Sequence, residues 1–191
     1  MKIIGFNGSP RISGGTAWAV SKVLEGAKLK GATTKLFSAG ELDIRPCSGC
    51  LGCIHKDCCV MMDDMQKVYD DLRESEALVF GTPVYMGQMS AQAKAFTDRL
   101  FAHHTPRFSP RFKEEYSNKK LVLLFTQGNP DRDKFKVYYD YTRDMFEMLE
   151  FVVEETVVIA NTRTEPAFRQ KEIPIKLQSV GFSLVESIRK I

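Results

Sequence analysis

The residues best suited to chemistry in this sequence are five cysteines gathered in one short segment, 47–59. The segment reads Cys-Ser-Gly-Cys-Leu-Gly-Cys-Ile-His-Lys-Asp-Cys-Cys, and no cysteine occurs elsewhere in the 191 residues. A Cys-x2-Cys-x2-Cys spacing lets one tight turn present three thiolates to an iron–sulfur cluster, with a fourth ligand further along. Thiolates also bind zinc, but structural zinc sites more often use two separated cysteine pairs. The spacing therefore favours a [4Fe–4S] cluster over zinc, and a cysteine-rich loop without metal is the third interpretation.

A second candidate site is a polar, glycine-rich segment that follows the first apolar run. Residues 7–11 read Asn-Gly-Ser-Pro-Arg, and Ser-Gly-Gly-Thr follows at 13–16, directly before a helical pattern. Such a loop places backbone N–H groups at a helix N-terminus, where the helix dipole favours an anion. Arg11 can add a bidentate contact to phosphate oxygens. The segment is neither a Walker A loop nor a Gly-x-Gly-x-x-Gly motif, so a phosphate site and an ordinary strand-to-helix turn are both open.

The elements that must position these residues alternate along the chain. Apolar runs predict strands at 2–6, 33–37, 77–80, 121–125 and 151–160, and helical spacing predicts helices at 17–28, 65–74, 89–102, 134–150 and 175–191. Strands that alternate with helices indicate a parallel sheet covered on both sides. We therefore predict an α/β protein with a flavodoxin-like, doubly wound, five-stranded parallel sheet of order 2-1-3-4-5. We expect a single domain over 1–191, with the cysteine-rich loop at 47–59.

Two more polar loops follow predicted strands. Gly-Thr-Pro-Val-Tyr-Met-Gly stands at 81–87, after the third strand, and Thr-Gln-Gly-Asn-Pro stands at 126–130, after the fourth. Open α/β sheets bind ligands beyond the carboxyl ends of their strands. Both loops are therefore candidates for ligand binding.

Composition excludes several classes of protein. Hydrophobic residues make up 43% and charged residues 27%, which is typical of globular domains. A net charge of +3 is too small to indicate nucleic acid, although the basic segment 103–120 leaves that alternative open. No apolar run approaches the eighteen or so residues of a membrane span. An odd number of cysteines without a signal-peptide pattern indicates a reducing compartment, so we expect a cytoplasmic protein that binds neither nucleic acid nor membrane.

Three motifs together resemble a known family. Gly8-Ser-Pro-Arg11 is similar to the opening of the flavodoxin-like NAD(P)H-dependent FMN reductases. Residues 82–87, followed by Ala-Gln-Ala-Lys-Ala-Phe-Thr-Asp-Arg at 91–99, resemble the second motif of that family. The cysteines, followed by Met-Asp-Asp-Met at 62–65, resemble the branch known as iron–sulfur flavoproteins. The specific motifs cover residues 1–101.

The resemblance implies a role for particular residues. It implies FMN phosphate binding by Ser9, Arg11, Ser13 and Thr16, and contacts with the isoalloxazine ring by Pro83, Val84, Tyr85, Met86 and Gly87. Thr126, Gln127 and Gly128 stand where the third flavin loop of the family lies. It implies a cluster held by Cys47, Cys50, Cys53 and Cys59. Cys59 is favoured over Cys58 because, counting back from Asp63, it aligns with the last cysteine of the family.

The resemblance also implies a function. The protein would move electrons between a low-potential donor, ferredoxin or NAD(P)H, and an acceptor, and no side chain is needed as a general acid or base. We interpret Asp63 and Asp64 as helix N-caps rather than as a catalytic pair. Subunits of the family assemble so that the cluster of one approaches the flavin of another, which implies a homo-oligomer, a dimer or a D2 tetramer. Two alternatives are a cluster-free NAD(P)H-dependent flavin or quinone reductase, and a binding module that senses redox state or metal.

Overall fold

The computed structural model describes residues 1–56, 58–103 and 118–190. Its strands are β1 (Lys2–Asn7), β2 (Thr33–Ser38), β3 (Ala77–Tyr85), β4 (Gln88–Met89), β5 (Lys120–Thr126) and β6 (Val152–Ile159). Its α-helices are α1 (Gly15–Leu29), α2 (Gly52–Lys56), α3 (Met65–Glu74), α4 (Ala91–Arg99), α5 (Lys136–Met148) and α6 (Ile173–Arg189). Short 3-10 helices follow α4 at Leu100–His103 and precede α6 at Ala167–Arg169.

The sheet has five long parallel strands in the order β2-β1-β3-β5-β6. This confirms the predicted order 2-1-3-4-5, since β5 and β6 are the fourth and fifth long strands. The two-residue strand β4 was not predicted, and it pairs antiparallel with the end of β3. Crossover helices cover both faces, which explains why β1, β3 and β5 are almost uninterrupted apolar runs.

Two hydrophobic clusters lie on the two faces of the sheet. On one face, α3, α4 and α5 bury large side chains that include Met65, Phe96 and Phe146. On the other face, α1 and α6 bury smaller ones and cross closely. A Cβ atom at Gly181 would lie 2.1 Å from the carbonyl oxygen of Val23, so this crossing requires a residue without a side chain.

Several predicted boundaries differ from the structure. β3 continues to Tyr85, so most of the predicted third-strand loop is itself strand, because the end of β3 pairs with β5 and β4. Helix α4 begins at Ala91, two residues later than predicted, because β4 takes up the residues before it. Residues 104–117, which hold most of the basic segment, lie outside the described residues. The single domain over 1–191 stays a prediction. None of the helices in the described ranges has the length and apolar character to cross a membrane.

Candidate functional site

The polar ends of three strands meet at one edge of the sheet. Asn7 at the end of β1 is the register partner of Gly81, and Pro83 in β3 is the partner of Thr126. The backbone N–H of Gly8 donates to the carbonyl of Gly81 at 2.7 Å. The three predicted flavin-binding segments are therefore neighbours in space, as expected for the carboxyl ends of parallel strands.

The loop after β1 is held in shape by the buried side chain of Asn7. Its Oδ1 accepts from the N–H of Ser9 at 3.1 Å, and its Nδ2 donates to the carbonyl of Arg11 at 3.2 Å and to Ser38 Oγ at 3.0 Å. Ser9 Oγ accepts in turn from the N–H of Arg11 at 3.1 Å. Ser9 is buried, whereas Arg11 and Ser13 are exposed. The loop is thus rigid, and its two outer side chains are free to reach a ligand.

Helix α1 presents an uncapped N-terminus to this loop. Gly14 occupies the N-cap position and has no side chain with which to cap the first turn. The N–H groups of that turn therefore remain available to an anion, which the helix dipole favours. The buried Thr16 hydroxyl lies 2.6 Å from the hydroxyl of Thr126. One hydroxyl of this pair donates to the other, which leaves one hydrogen for a third group.

The segment 83–87 forms the tip of a β-hairpin. Tyr85 pairs with Gln88, and the two turn residues Met86 and Gly87 have positive φ angles of 50° and 79°. Two positive φ angles define a type I′ turn, whose twist matches the flanking strands. Pro83 is buried at the base, whereas Tyr85 is 44% exposed and Met86 is fully exposed at the tip. The hairpin therefore projects an aromatic ring and a thioether from the sheet edge.

Ser90 joins the first two loops, although the sequence patterns did not single it out. Its Oγ donates to the carbonyl of Gly8 and accepts from the N–H of Ala93 at 3.1 Å, so it caps α4. The N–H of Ser90 donates to Thr82 Oγ1 at 3.3 Å. A Cβ at Gly8 would lie 2.7 Å from that of Ala93, so the loop is packed tightly on α4. A serine directly before a predicted helix is a typical N-cap, and this was the sequence signal that could have identified Ser90.

The third loop is organised around Gln127, which is 1% exposed. Its Nε2 donates to the carbonyls of Asn129 at 3.0 Å and Asp131 at 2.6 Å, and its Oε1 accepts from the hydroxyl of Tyr139. Burial raises the pKa of Tyr139 to about 12, so this phenol remains a donor. The side chain of Gln127 therefore shapes the loop from inside, while Gly128 lies on its outer side.

Two further residues beside these loops were not assigned to the site from the sequence. The ring of Phe135 lies 3.7 Å from the position that a Cβ would take at Gly87, and Arg163 lies beside Gly128. Arg163 is exposed and follows β6, the next strand along the sheet. A polar loop after the fifth strand was the signal that could have found Arg163. Phe135 falls within the helix predicted at 134–150, where an apolar residue indicates core packing rather than a site.

The cysteine loop encloses a separate cavity of about 140 Å³. Four of the five cysteines line it, together with mainly apolar residues and the charged residues Asp98 and Arg99; the cysteines are Cys47, Cys50, Cys53 and Cys59. The structure therefore brings together the four thiols that the family resemblance implied, and Cys58, which is exposed, is not among the lining residues.

A buried ion pair fastens both ends of the cysteine loop. Arg99 Nη1 and Nη2 donate to the two carboxylate oxygens of Asp63 at 2.6 Å and 3.0 Å, and both side chains are at most 1% exposed. Arg99 also donates to the carbonyls of Arg45 at 2.9 Å and Met61 at 3.5 Å. Burial alone would raise the pKa of Asp63, but the hydrogen bonds from Arg99 and from the N–H of Arg45 lower it overall. The carboxylate is therefore ionised at neutral pH.

The predicted role of the two aspartates needs correction. Asp64 occupies the N-cap position of α3, but its side chain makes no capping bond. It accepts instead from Lys67 Nζ at 2.7 Å and from the N–H of Asp43 at 2.9 Å. Asp63 does accept from the N–H of Met65 at 3.1 Å, and its main partner is Arg99. The two carboxylates anchor the ends of the cysteine loop, because they follow the loop and accept hydrogen bonds from the N–H groups of Asp43 and Arg45, which precede it.

The thiols of the cavity have different environments. Hydrogen bonds, the strongest from the backbone of Gly52, lower the pKa of Cys50. Burial raises the pKa of Cys53. Hydrogen bonds to a thiolate favour the charged form that binds metals, whereas burial opposes it.

The donor set fits a four-iron cluster better than a single ion. Within the described ranges, no three His, Cys, Asp or Glu side chains lie close enough together to hold one metal ion. A [4Fe–4S] cluster binds its four cysteines at four different irons, so the thiols must surround a volume rather than meet at a point. Four thiols around a mainly apolar cavity, with one buried guanidinium in its wall, meet that requirement.

Comparison with known proteins gives one family and one fold. The family model described as NADPH-dependent FMN reductase matches residues 1–164. The chain is similar to an iron–sulfur flavoprotein of Methanocaldococcus jannaschii, with 41% identity over 103 residues, 53% of this chain and 52% of that protein. It is similar to one of Methanosarcina thermophila, with 37% identity over 99 residues, 52% of each. The matched part spans about half the length of these curated relatives.

A solved structure supports the architecture over nearly the whole chain. A NAD(P)H:quinone oxidoreductase from Methanothermobacter marburgensis superposes with a TM-score of 0.73, covering 96% of this chain and 94% of that one. The sequence identity is 16%, so the likeness shows the fold alone. These matches confirm the predicted resemblance and the predicted fold.

Proposed function

The chain belongs to the NADPH-dependent FMN reductase family, and we propose that it is an FMN-binding oxidoreductase that also carries a [4Fe–4S] cluster. The observation that carries this proposal is the cavity lined by Cys47, Cys50, Cys53 and Cys59, which lies in the same chain as the loops of a flavodoxin-like sheet. The iron–sulfur names of the similar archaeal proteins support it.

For FMN, the proposed phosphate-binding residues are Ser9, Arg11, Ser13 and Thr16, together with the uncapped N-terminus of α1. The N–H groups of Gly8, Ser9 and Arg11 are already bonded within the fold, so the N–H groups assigned to the phosphate are those of the first turn of α1. Arg11 is exposed enough to form a charge-assisted bond. We assign ring contacts to Pro83, Val84, Tyr85, Met86 and Gly87, and further contacts to Thr126, Gln127 and Gly128. Gln127 acts mainly by shaping the third loop, since both hydrogens of its side-chain amide are already donated to carbonyls of that loop.

The two proposed centres lie at opposite ends of α4. Ser90 at the N-terminus of α4 contacts the flavin loops, whereas Arg99 at its last turn lines the cysteine cavity. These residues are separated by about 13 Å of helix, at a rise of about 1.5 Å per residue. As the resemblance to the family implies, we propose a homo-oligomer, a dimer or a D2 tetramer, in which the cysteine cavity faces the flavin loops of a neighbour.

The proposed activity is electron transfer between a low-potential donor, such as ferredoxin or NAD(P)H, and an acceptor. When bound, FMN and the cluster supply one- and two-electron chemistry. The chain contributes placement: thiols at the cavity, N–H donors at the sheet edge, and an aromatic residue, Tyr85, at the hairpin tip. None of these roles requires a general acid or base.

Cofactor content tests the proposal directly. After purification without oxygen, we expect FMN together with iron and acid-labile sulfide, and a broad absorption band near about 400 nm beneath the flavin bands. A flavin spectrum without iron would reject the cluster and favour the cluster-free NAD(P)H-dependent reductase.

A matched pair of variants tests the choice of the fourth ligand. Cys59→Ser removes a thiol that lines the cavity, so we expect loss of iron and sulfide with FMN retained. Cys58→Ser removes the exposed thiol beside it, so we expect wild-type iron content. The reverse pattern would transfer the ligand role to Cys58, and full iron content in both variants would contradict a four-cysteine site.

A further inference from the structure

Arg99 has the largest of the fully buried side chains in the described residues. A buried arginine is unfavourable unless its charge and its N–H groups are matched by partners. The charge is matched by Asp63, and Nη1 and Nη2 donate to Asp63 and to the carbonyls of Arg45 and Met61. Each of these partners lies at one end of the cysteine loop or just beyond it.

One donor of Arg99 is not matched in this way. Within the described ranges, its Nε is buried and has no hydrogen-bond partner. A buried donor without an acceptor is destabilising, and native proteins rarely contain one unless a ligand, ion or water completes the bond. Arg99 also lines the cavity of the four thiols. An acceptor held in that cavity would lie beside the Arg99 side chain.

Resting on the proposed function, we infer that Arg99 is a positioning and tuning residue of the cysteine site. Its two Nη groups hold the flanks of the loop, and its Nε–H donates a hydrogen bond to a sulfur of the bound cluster. The thiolate and sulfide sulfurs of such a cluster are acceptors, and a donor from a guanidinium gives a charge-assisted bond.

This bond has a defined consequence for reduction. One added electron makes the cluster more negative, so a donated hydrogen bond stabilises the reduced form more than the oxidised form. Hydrogen bonds to the sulfurs are among the factors that set cluster potentials. Arg99 therefore raises the potential, and the neighbouring Asp63 carboxylate lowers it.

The conservative variant Arg99→Lys isolates the Nε–H. Lysine has a methylene where arginine has Nε, and it keeps a positive charge to pair with Asp63. We expect Arg99→Lys to bind iron but to be about tenfold harder to reduce, a shift of about 59 mV downward for a one-electron couple. Arg45→Lys is the matched control, because Arg45 also contacts Asp63 and a loop carbonyl but does not line the cavity. Its potential should match the wild type.

The measurement is an anaerobic redox titration of the holoprotein followed by electron paramagnetic resonance, with iron and sulfide assayed on the same samples. Asp63→Asn is a second variant for which we expect the opposite change, since removing a buried negative charge should raise the reduction potential of the cluster. If Arg99 and Asp63 had only structural roles, both variants would lose iron, and their reduction potentials would not shift in opposite directions.

A wild-type potential in iron-loaded Arg99→Lys would refute the Nε bond. If Arg99→Lys binds no iron, an unchanged or lower potential in Asp63→Asn would refute the inference. Wild-type protein without iron would instead refute the proposed function, and this inference with it.

Discussion

Replacing Ser90 by alanine should uncouple the first two flavin loops. Ser90 is 1% exposed, and its hydroxyl makes two hydrogen bonds. It accepts from the N–H of Ala93 in the first turn of α4, and it donates to the carbonyl of Gly8 in the loop after β1. Ser90→Ala removes both bonds and leaves a buried donor and a buried acceptor without partners.

The expected cost follows from these two bonds. Loss of a serine N-cap costs about 1 kcal/mol. A buried carbonyl left without its donor costs about 1–3 kcal/mol. The two effects together predict that Ser90→Ala lowers the free energy of unfolding by about 2–4 kcal/mol, a large part of the stability of a domain of this size.

Urea unfolding of the FMN-free protein, followed by far-UV circular dichroism, measures this loss. Ser187→Ala is the matched control, because its hydroxyl donates only to the carbonyl of Leu184 within α6. We expect the control to stay within about 0.5 kcal/mol of the wild type. FMN affinity, measured by flavin fluorescence, should fall for Ser90→Ala because the Gly8 loop loses its anchor. An unfolding free energy equal to that of the control would refute the reasoning.

Two further predictions concern stability. Gly181→Ala places a Cβ 2.1 Å from the Val23 carbonyl oxygen, so α1 and α6 must move apart. The cost of overpacking, about 1–3 kcal/mol, outweighs the gain of about 1 kcal/mol in helix propensity. Thermal unfolding should therefore show a lower Tm, and a raised Tm would contradict the close crossing. Burial would raise the pKa of Asp71, but hydrogen bonds from Lys2 and Lys35 lower it below its ordinary 3.8. Its stabilisation is therefore complete at neutral pH and is lost as the pH falls below about 4, so Asp71→Asn should be less stable than the wild type at pH 7 and equally stable in acid, as urea titrations across pH would reveal.

Local patterns were sufficient for the architecture. The alternation of strand and helix patterns predicted the five long strands and their order. The patterns of β1, β3 and β5 were the clearest, because parallel strands buried on both faces have little polar content. The position of the three flavin loops at one edge followed from that order, since the carboxyl ends of parallel strands lie together. The boundaries of α3 were predicted to the residue. The hairpin at Met86 and Gly87 was missed because it depends on the pairing of β4 with β3.

The sequence by itself determined the cysteine spacing, the strand-and-loop rhythm and the family motifs, because all of these are carried by residues close together in the chain. Only the tertiary structure decided which distant groups meet. Arg99 pairs with Asp63 across 36 residues, and Thr16 meets Thr126 across 110. The two adjacent cysteines also differ only in the fold: Cys59 lines the cavity that Cys47, Cys50 and Cys53 line, whereas Cys58 is not among its lining residues.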